Sequence, residues 1–421
     1  MKLKALVGVL AVAGLAMPGI ASATNGYFSH GIGIKAKGMG GVGIALPQDS
    51  LAAATNPAGM VLVGNRADLG VDWFSPDRTT TWGPNVPYRP AGEYNSGSKN
   101  FLIPEFGYNT MLGDKMSLGV SVFGNGGMNT DYGQIVLGNC TTNTYSNLEQ
   151  LFIAPTFAMK LSPQHSIGVT LNLVYQTFEA RGLEGFQGVS LDSGNVTNRG
   201  KDASTGAGLK LGWIGQLTND FSVGATYQGK TKMSKFDKYR GLFAEQGGFD
   251  IPETYGLGIV VKATPKLTVA ADVVQINYGD IKSLANDGSL YPWAVSGVQL
   301  GADNGAGFGW SNQTVYKLGA SYQYSPDLAL HAGYNYAKTP LNSNNTYFNI
   351  LAPATVEQHL TLGATWTLAN KAELSVSYMH AFSKGINGTG GGGGNGGSAA
   401  GWSSNLEMDQ NSLGVAYGWK M

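Results

Sequence analysis

From about Ala67 to the C-terminus, segments of alternating apolar and polar residues recur, and the connections between them alternate strictly between short and long. A period of two places one set of side chains on each face of a β-strand. In the last segment Leu413, Val415, Tyr417, Trp419 and Met421 share one face, and Ser412, Gly414, Ala416, Gly418 and Lys420 the other. Leu151, Ile153, Phe157, Met159 and Leu161 form a similar stripe opposite Gln150, Ala154, Thr156 and Lys160. Six connections are tight, at 113–115, 162–164, 218–220, 264–266, 326–327 and 370–371. Seven are long, near 76–100, 125–147, 181–206, 231–250, 281–312, 339–354 and 384–408. Thirteen connections join fourteen strands, and an even number returns both ends to the same side. Short turns at one end and long loops at the other are the pattern of an outer-membrane barrel. The expected fold is therefore all-β, an antiparallel transmembrane barrel.

Composition separates this barrel from a soluble sandwich, whose strands also alternate. Charged residues make up only 13% of the chain, about half the share usual for soluble proteins. A sandwich of this length needs more surface charge and a second buried sheet. Tyr316, Tyr322, Tyr324, Tyr334, Tyr336, Trp366, Tyr378, Tyr417 and Trp419 fall near strand ends, where interfacial girdles sit. Net charge is zero, so nothing calls for nucleic acid. The single Cys140 excludes an intrachain disulfide.

The N-terminus carries an export signal. Lys2 and Lys4 precede an apolar run over residues 5–16, Pro18 and Gly19 break it, and Ala21-Ser22-Ala23 offers a small-x-small cleavage site. A run of about 12 residues is too short to span a bilayer, so residues 1–23 read as a signal peptide. The mature chain is expected to begin at Thr24. Residues 24–65 do not alternate and are rich in small residues, with Asp49 or Ser50 placed to cap a short helix ending before Asn56-Pro57. This segment is too weakly apolar to form its own core, and a fourteen-strand lumen leaks unless filled. It is expected to be a plug, with residues 66–421 forming the barrel. The run 390–397, nearly all glycine, reads as a mobile part of the last outer loop.

Few motifs compete with this reading. Gly38-x-Gly40-x-x-Gly43 matches the dinucleotide fingerprint but lacks a βαβ context; turns in a compact plug explain it better. His30, His165, His331, His359 and His380 show no metal-ligand spacing. His331 and His359 alternate into the lumen with Glu357 and Glu373. An outer-membrane lipase would need a Ser–His pair with an orienting third group, and Ser377 with His359 is the nearest pairing. A purely structural barrel would not need a long plug.

Thr24-Asn25-Gly26-Tyr27-Phe28, the glycine-rich stretch through Gly43, and Asn56-Pro57-Ala58 resemble the N-terminal hatch of the FadL family. These are outer-membrane transporters of long-chain fatty acids, with relatives that take up aromatic hydrocarbons. Ser375-Val376-Ser377-Tyr378-Met379-His380 and Lys384-Gly385-Ile386-Asn387 resemble the family's penultimate strand and its loop. The resemblance implies fourteen strands, a hatch, an outer apolar groove, a tighter inner pocket and exit sideways through the wall. The chain departs in ending Trp419-Lys420-Met421 rather than on an aromatic, and in having no basic residue between Lys282 and Lys317.

The expectation is passive uptake of a hydrophobic ligand by a single copy of the chain in outer-membrane lipid, with no cofactor. Tyr27, Phe28, Phe123, Phe152 and Phe178 are expected to hold an apolar tail. A buried carboxylate needs a cation, for which Arg181 and Lys317 are the candidates. A long-chain fatty acid and an uncharged aromatic hydrocarbon both remain open. Asn56 and Pro57 belong to the plug. The third strand begins regularly, with Leu118, Val120 and Val122 outward, and then meets Gly124-Asn125-Gly126-Gly127. Glycines there predict a bulge, and the resemblance places the sideways opening at an inward kink in this strand.

Overall fold

Backbone groups facing lipid have no water to bond, so each strand must find partners on both edges. The chain meets that demand by closing one antiparallel sheet on itself. The computed structural model describes residues 24–83, 91–289, 298–388 and 404–421. The expected signal peptide and the 390–397 run lie outside the described residues. Among the latter the barrel has fourteen long strands: β1 (Arg66–Trp82), β2 (Phe101–Leu112), β3 (Met116–Asp131), β4 (Tyr145–Lys160), β5 (His165–Arg181), β6 (Asp202–Gln216) and β7 (Phe221–Gln228), followed by β8 (Thr254–Thr264), β9 (Leu267–Ile276), β10 (Gln313–Ser325), β11 (Leu328–Ala337), β12 (Gln358–Thr367), β13 (Glu373–Ile386) and β14 (Ser404–Lys420). Each pairs with the next, and β14 closes on β1 in register from Arg66↔Lys420 to Trp82↔Ser404. Short pieces at Gly92–Asn95 and Lys232–Met233 add to β1 and β6.

The six tight turns stand where the sequence places them, but the strands at the long-loop end run further than their alternation suggests. β1 continues to Trp82, and β3 and β4 pair up to Asp131↔Tyr145. The reason lies in the outward positions of upper β1, which are Ser75, Asp77, Thr79 and Thr81. Beyond the lipid neither face needs apolar residues, so the period fades while the hydrogen bonding continues. Lower down, Leu69, Val71, Trp73, Leu171, Leu173, Leu257, Leu318, Leu362 and Leu413 point outward and are exposed, as a lipid-facing band requires. No helix among the described residues is long and apolar enough to cross a membrane.

Residues 24–65 lie against lumen-facing positions around the whole barrel. The wall is cut back to glycine where they touch it: a Cβ on Gly333 would sit 2.1 Å from the Gly40 amide nitrogen, and one on Gly168 2.4 Å from the Pro57 carbonyl carbon. Gly40 itself takes φ +69, so the Gly38–Gly43 motif serves turns and close approach. Barrel carboxylates hold the segment by its backbone. Glu105 accepts from Gly33 and Ile34 amides at 3.1 and 2.9 Å. Asp68 accepts from the Ser50 amide at 2.9 Å, and Asp272 from Gly43 and Ile44 at 2.8 and 3.1 Å. Asp72 pairs with Lys37 at 2.8 Å, and Glu373 gathers Lys35, Arg66 and Lys420. The expected short helix is Ala52–Thr55, with the Asp49 carboxylate accepting from the Leu51 amide at 2.9 Å. Asn56 then turns extended ahead of Pro57, and its Nδ2 lies within reach of the Ile44, Trp213 and Ala225 carbonyls.

If this segment blocks the lumen, loosening its pins opens a conducting path. Asp272→Ala leaves two buried amides without an acceptor, at about 1–3 kcal/mol each. We expect a folded, heat-modifiable barrel whose ion conductance in planar bilayers rises, and rises further on deletion of residues 27–56. Folded variants that stay non-conducting would show that the segment does not occlude.

Candidate ligand-binding site

Against the hatch, on the side of strands β6 to β10, lies a cavity of about 110 Å³. Asn25, Phe28, Ser29 and Ile32 close it from the hatch, while Val274, Ile276 and Val315 make its apolar wall. Two lysines project into it. Lys317 donates to the carbonyls of His30 and Gly41 at 2.9 and 3.1 Å, and Lys210 donates to the carbonyl of Ala54. Neither ammonium forms an ion pair among the described residues. Asp272 faces Lys317 across the β9–β10 register, but its Oδ2 accepts the two hatch amides. Burial, with His359 stacked 6.1 Å away, holds the His30 imidazole well below its usual pKa. A pocket with two cations and no anion in its lining is built at a cost and favours a negative guest.

Of the residues singled out in the sequence, the structure brings Phe28 and Lys317 to this cavity. Tyr27 is fully buried beside it, its ring 4.9 Å from Phe28, 5.5 Å from Tyr278 and 6.1 Å from Trp310. Phe123 and Phe152 stack at 5.3 Å on the lumen faces of β3 and β4, outside the cavity lining. Phe178 belongs to the cap: it packs on Phe236, Tyr239 and Phe243 of the β7–β8 loop. Arg181 sits on the rim, half-exposed, with its guanidinium 4.1 Å from the Tyr145 ring centroid and 3.7 Å from Glu179; a strand-end position puts it above the pocket rather than in it. Asn56 and Pro57 brace the hatch against β5, β6 and β7. Lys210 went unremarked in the sequence. The signal was present, since Leu209 and Leu211 alternate outward around it and glycines flank it at 208 and 212. Ser377 stands opposite Gly363, four residues along β12 from His359, and the two do not meet.

The glycines of β3 shape the wall. β2 and β3 pair only from Leu112↔Met116 up to Phe106↔Val122. Above that, β3 bulges between Gly124 and Gly126 in its pairing with β4. Its freed edge turns to the hatch: Ser29 donates to the Asn125 carbonyl and Gly127 donates to the Tyr27 carbonyl, both at 3.0 Å. Residues 101–105 of β2 keep only β1 as a partner. The wall closes again where the Gly97 amide donates to the Asp131 carbonyl at 2.6 Å. The result is an opening between β2 and β3 with a pairing seam below and a hydrogen bond above. The segment 124–127 is thus strand, not the start of a loop.

Comparison with known proteins agrees with this geometry. A family model described as outer membrane protein transport protein (OMPP1/FadL/TodX) matches residues 20–412. The fold resembles the Pseudomonas putida toluene transporter TodX at a TM-score of 0.70, with 19% identity over 93% of this chain and 99% of that one. A Pseudomonas aeruginosa FadL homologue aligns with a TM-score of 0.68 and 15% identity, over 94% and 99% of the two chains. The Ralstonia pickettii toluene transporter TbuX gives 0.64 and 18%, over 93% and 99%. No curated protein matches the chain.

If the lysines serve a guest rather than the fold, removing either is harmless to stability. Lys210→Met or Lys317→Met removes the cost of burying an unpaired cation and leaves one or two hatch carbonyls without that donor, about 1–3 kcal/mol each, so the two effects offset. The heat-modifiability midpoint in detergent should hold. A marked fall in both variants would make the lysines structural.

Proposed function

The chain belongs to the OMPP1/FadL/TodX family of outer membrane transport proteins, and from that premise we propose that it imports hydrophobic carboxylates, long-chain fatty acids foremost. It is an outer-membrane β-barrel that carries hydrophobic compounds. The observation behind the finer reading is the cation pair. Lys210 and Lys317 face one cavity with only backbone carbonyls as partners, and a carboxylate would offset that charge. Phe28, Val274, Ile276 and Val315 offer the first turn of tail an apolar surface. Transport is passive, by a monomer, with no cofactor and no chemistry on the ligand. The opening between β2 and β3 gives a route into the outer leaflet that avoids the polar base of the barrel. An unpaired edge in lipid is tolerated only where it borders such a cavity.

A second reading is a neutral monoaromatic hydrocarbon. The size of the cavity favours it: an apolar cavity of about 150 Å³ holds a benzene ring, and this one is of that order. Binding of oleate and of toluene to the purified barrel separates the two. Lys317→Met and Lys210→Met should each weaken oleate binding by about 1.5–3 kcal/mol, roughly ten- to hundred-fold, and leave toluene unchanged. Tight toluene binding with oleate indifferent to both lysines would favour the hydrocarbon.

The exit has its own test. Gly126→Val with Gly127→Val fills the opening with two β-branched side chains that favour regular pairing. The double variant should fold and bind oleate, yet fail to support uptake in cells lacking their own transporter. Undiminished uptake would move the exit elsewhere.

A further inference from the structure

Another buried cation without a carboxylate partner lies across the lumen from the lysine cavity. Arg78 is on the inner face of β1, four residues above Phe74, and is 2% exposed. Its Nη1 donates to the Ser98 carbonyl at 3.1 Å, while its Nη2 has no partner among the described residues. Asp77, its neighbour in sequence, points to the other face and holds Lys99 at 2.9 Å. No carboxylate among the described residues pairs with Arg78. A guanidinium keeps its charge at any physiological pH and carries five donors in a fixed fork. An arginine kept for structure would be expected to use that fork more fully.

The surroundings say what kind of guest would complete it. Arg78 borders a void of about 10 Å³ together with Met128, Asn129, Ala352, Pro353 and Ala354. Below it packs a buried apolar cluster formed by Phe74, Phe101, Ile103, Val356, Met379 and Met408. Met408 is Arg78's partner in the β1–β14 register. Phe101 and Ile103 belong to the stretch of β2 that pairs with β1 alone and so edges the opening in the wall. A half-satisfied cation thus stands at the head of a buried apolar cluster that reaches the edge of the opening.

We propose that Arg78 is a second carboxylate station, which holds the head of an amphipathic ligand while its tail lies over this cluster on the way to the wall. The inference rests on the carboxylate reading above but concerns a different site, on β1 and β14 rather than β6 to β10. The void has room for about one water, so the station opens by displacement of Met128, a side chain suited to repacking, and of residues 352–354.

Calorimetry with oleate in a neutral maltoside detergent tests it. The wild type should bind two equivalents. Arg78→Met should lose one of them and keep the other, and the Lys210→Met, Lys317→Met double variant should lose the other and keep the Arg78 equivalent. Uptake by Arg78→Met should fall at least fivefold. A single equivalent that disappears in the lysine variant and is untouched in Arg78→Met overturns the proposal while leaving the lysine site standing. No binding by either site removes the carboxylate reading and this inference with it. Should Arg78→Met fail to fold, a crystal of the wild type with an ω-brominated fatty acid decides: carboxylate density at Arg78 with bromine at the far end of the cluster, by Phe101 and Ile103, supports the station, and only water or chloride at Arg78 overturns it.

Discussion

Everything in this molecule descends from the need to pair backbone amides in a medium without water. That need closes the sheet, and closing fourteen strands creates a lumen wider than side chains can fill. Whatever enters the lumen brings its own unpaired amides. Short turns inside residues 24–65 pair some of their amides, as Lys37 to Gly33 and Asn56 to Ala52, but Gly33, Ile34, Gly43, Ile44 and Ser50 turn theirs to the wall. The barrel supplies acceptors instead, and the strongest are carboxylates, because bonds to an ionised group are worth about twice neutral ones. Glu105, Asp68 and Asp272 each take two donors from the hatch. A chain this poor in charge places three of its lumen acids where they hold backbone, and two more, Asp72 and Glu373, where they hold cations of the hatch and the wall.

This explains how much could be read from the sequence. The barrel was legible because a lipid-facing band imposes a strict period, and the tight turns were legible because they interrupt it sharply. Loop ends were not, since polar residues occupy both faces of a strand once it clears the bilayer. The lumen was harder again. Asp272 looks like any solvated lumen residue until Gly43 and Ile44 are seen against it, and the lumen glycines look like weak strand residues until Gly333 is seen against Gly40. Contacts between the hatch and the far wall span hundreds of residues, and no local pattern encodes them.

The same limit governed the candidate site. Lys317 could be picked out as a lumen-facing cation, but Lys210 carries an equally good signal and differs only in being flanked by glycines. Arg181 shows the opposite case. Its position at a strand end was visible, yet that end rises above the pocket, where the guanidinium meets Tyr145 and water. Alternation tells which face a residue is on; height along a tilted strand decides what it meets there.

Height also links the cavity to the opening. Phe28 and Ser29 line the cavity, and the bonds from Ser29 to Asn125 and from Gly127 to Tyr27 form the inner jamb of the gap between β2 and β3. One short piece of chain therefore serves as both wall and door-post. It is tied to the rest of the hatch by Gly31 and Gly33, and Gly33 has φ +88, a backbone region that other residues enter only with strain. Below that glycine the hatch is pinned by Glu105; above it, the chain is held by the bulge, by the Tyr278 hydroxyl donating to the Asn25 carbonyl at 2.5 Å and by Lys317 donating to the His30 carbonyl at 2.9 Å. The part above Gly33 borders both the place where a ligand would rest and the gap through which it would leave, so the bonds that hold it at β3, Tyr278 and Lys317 hold cavity and gap together.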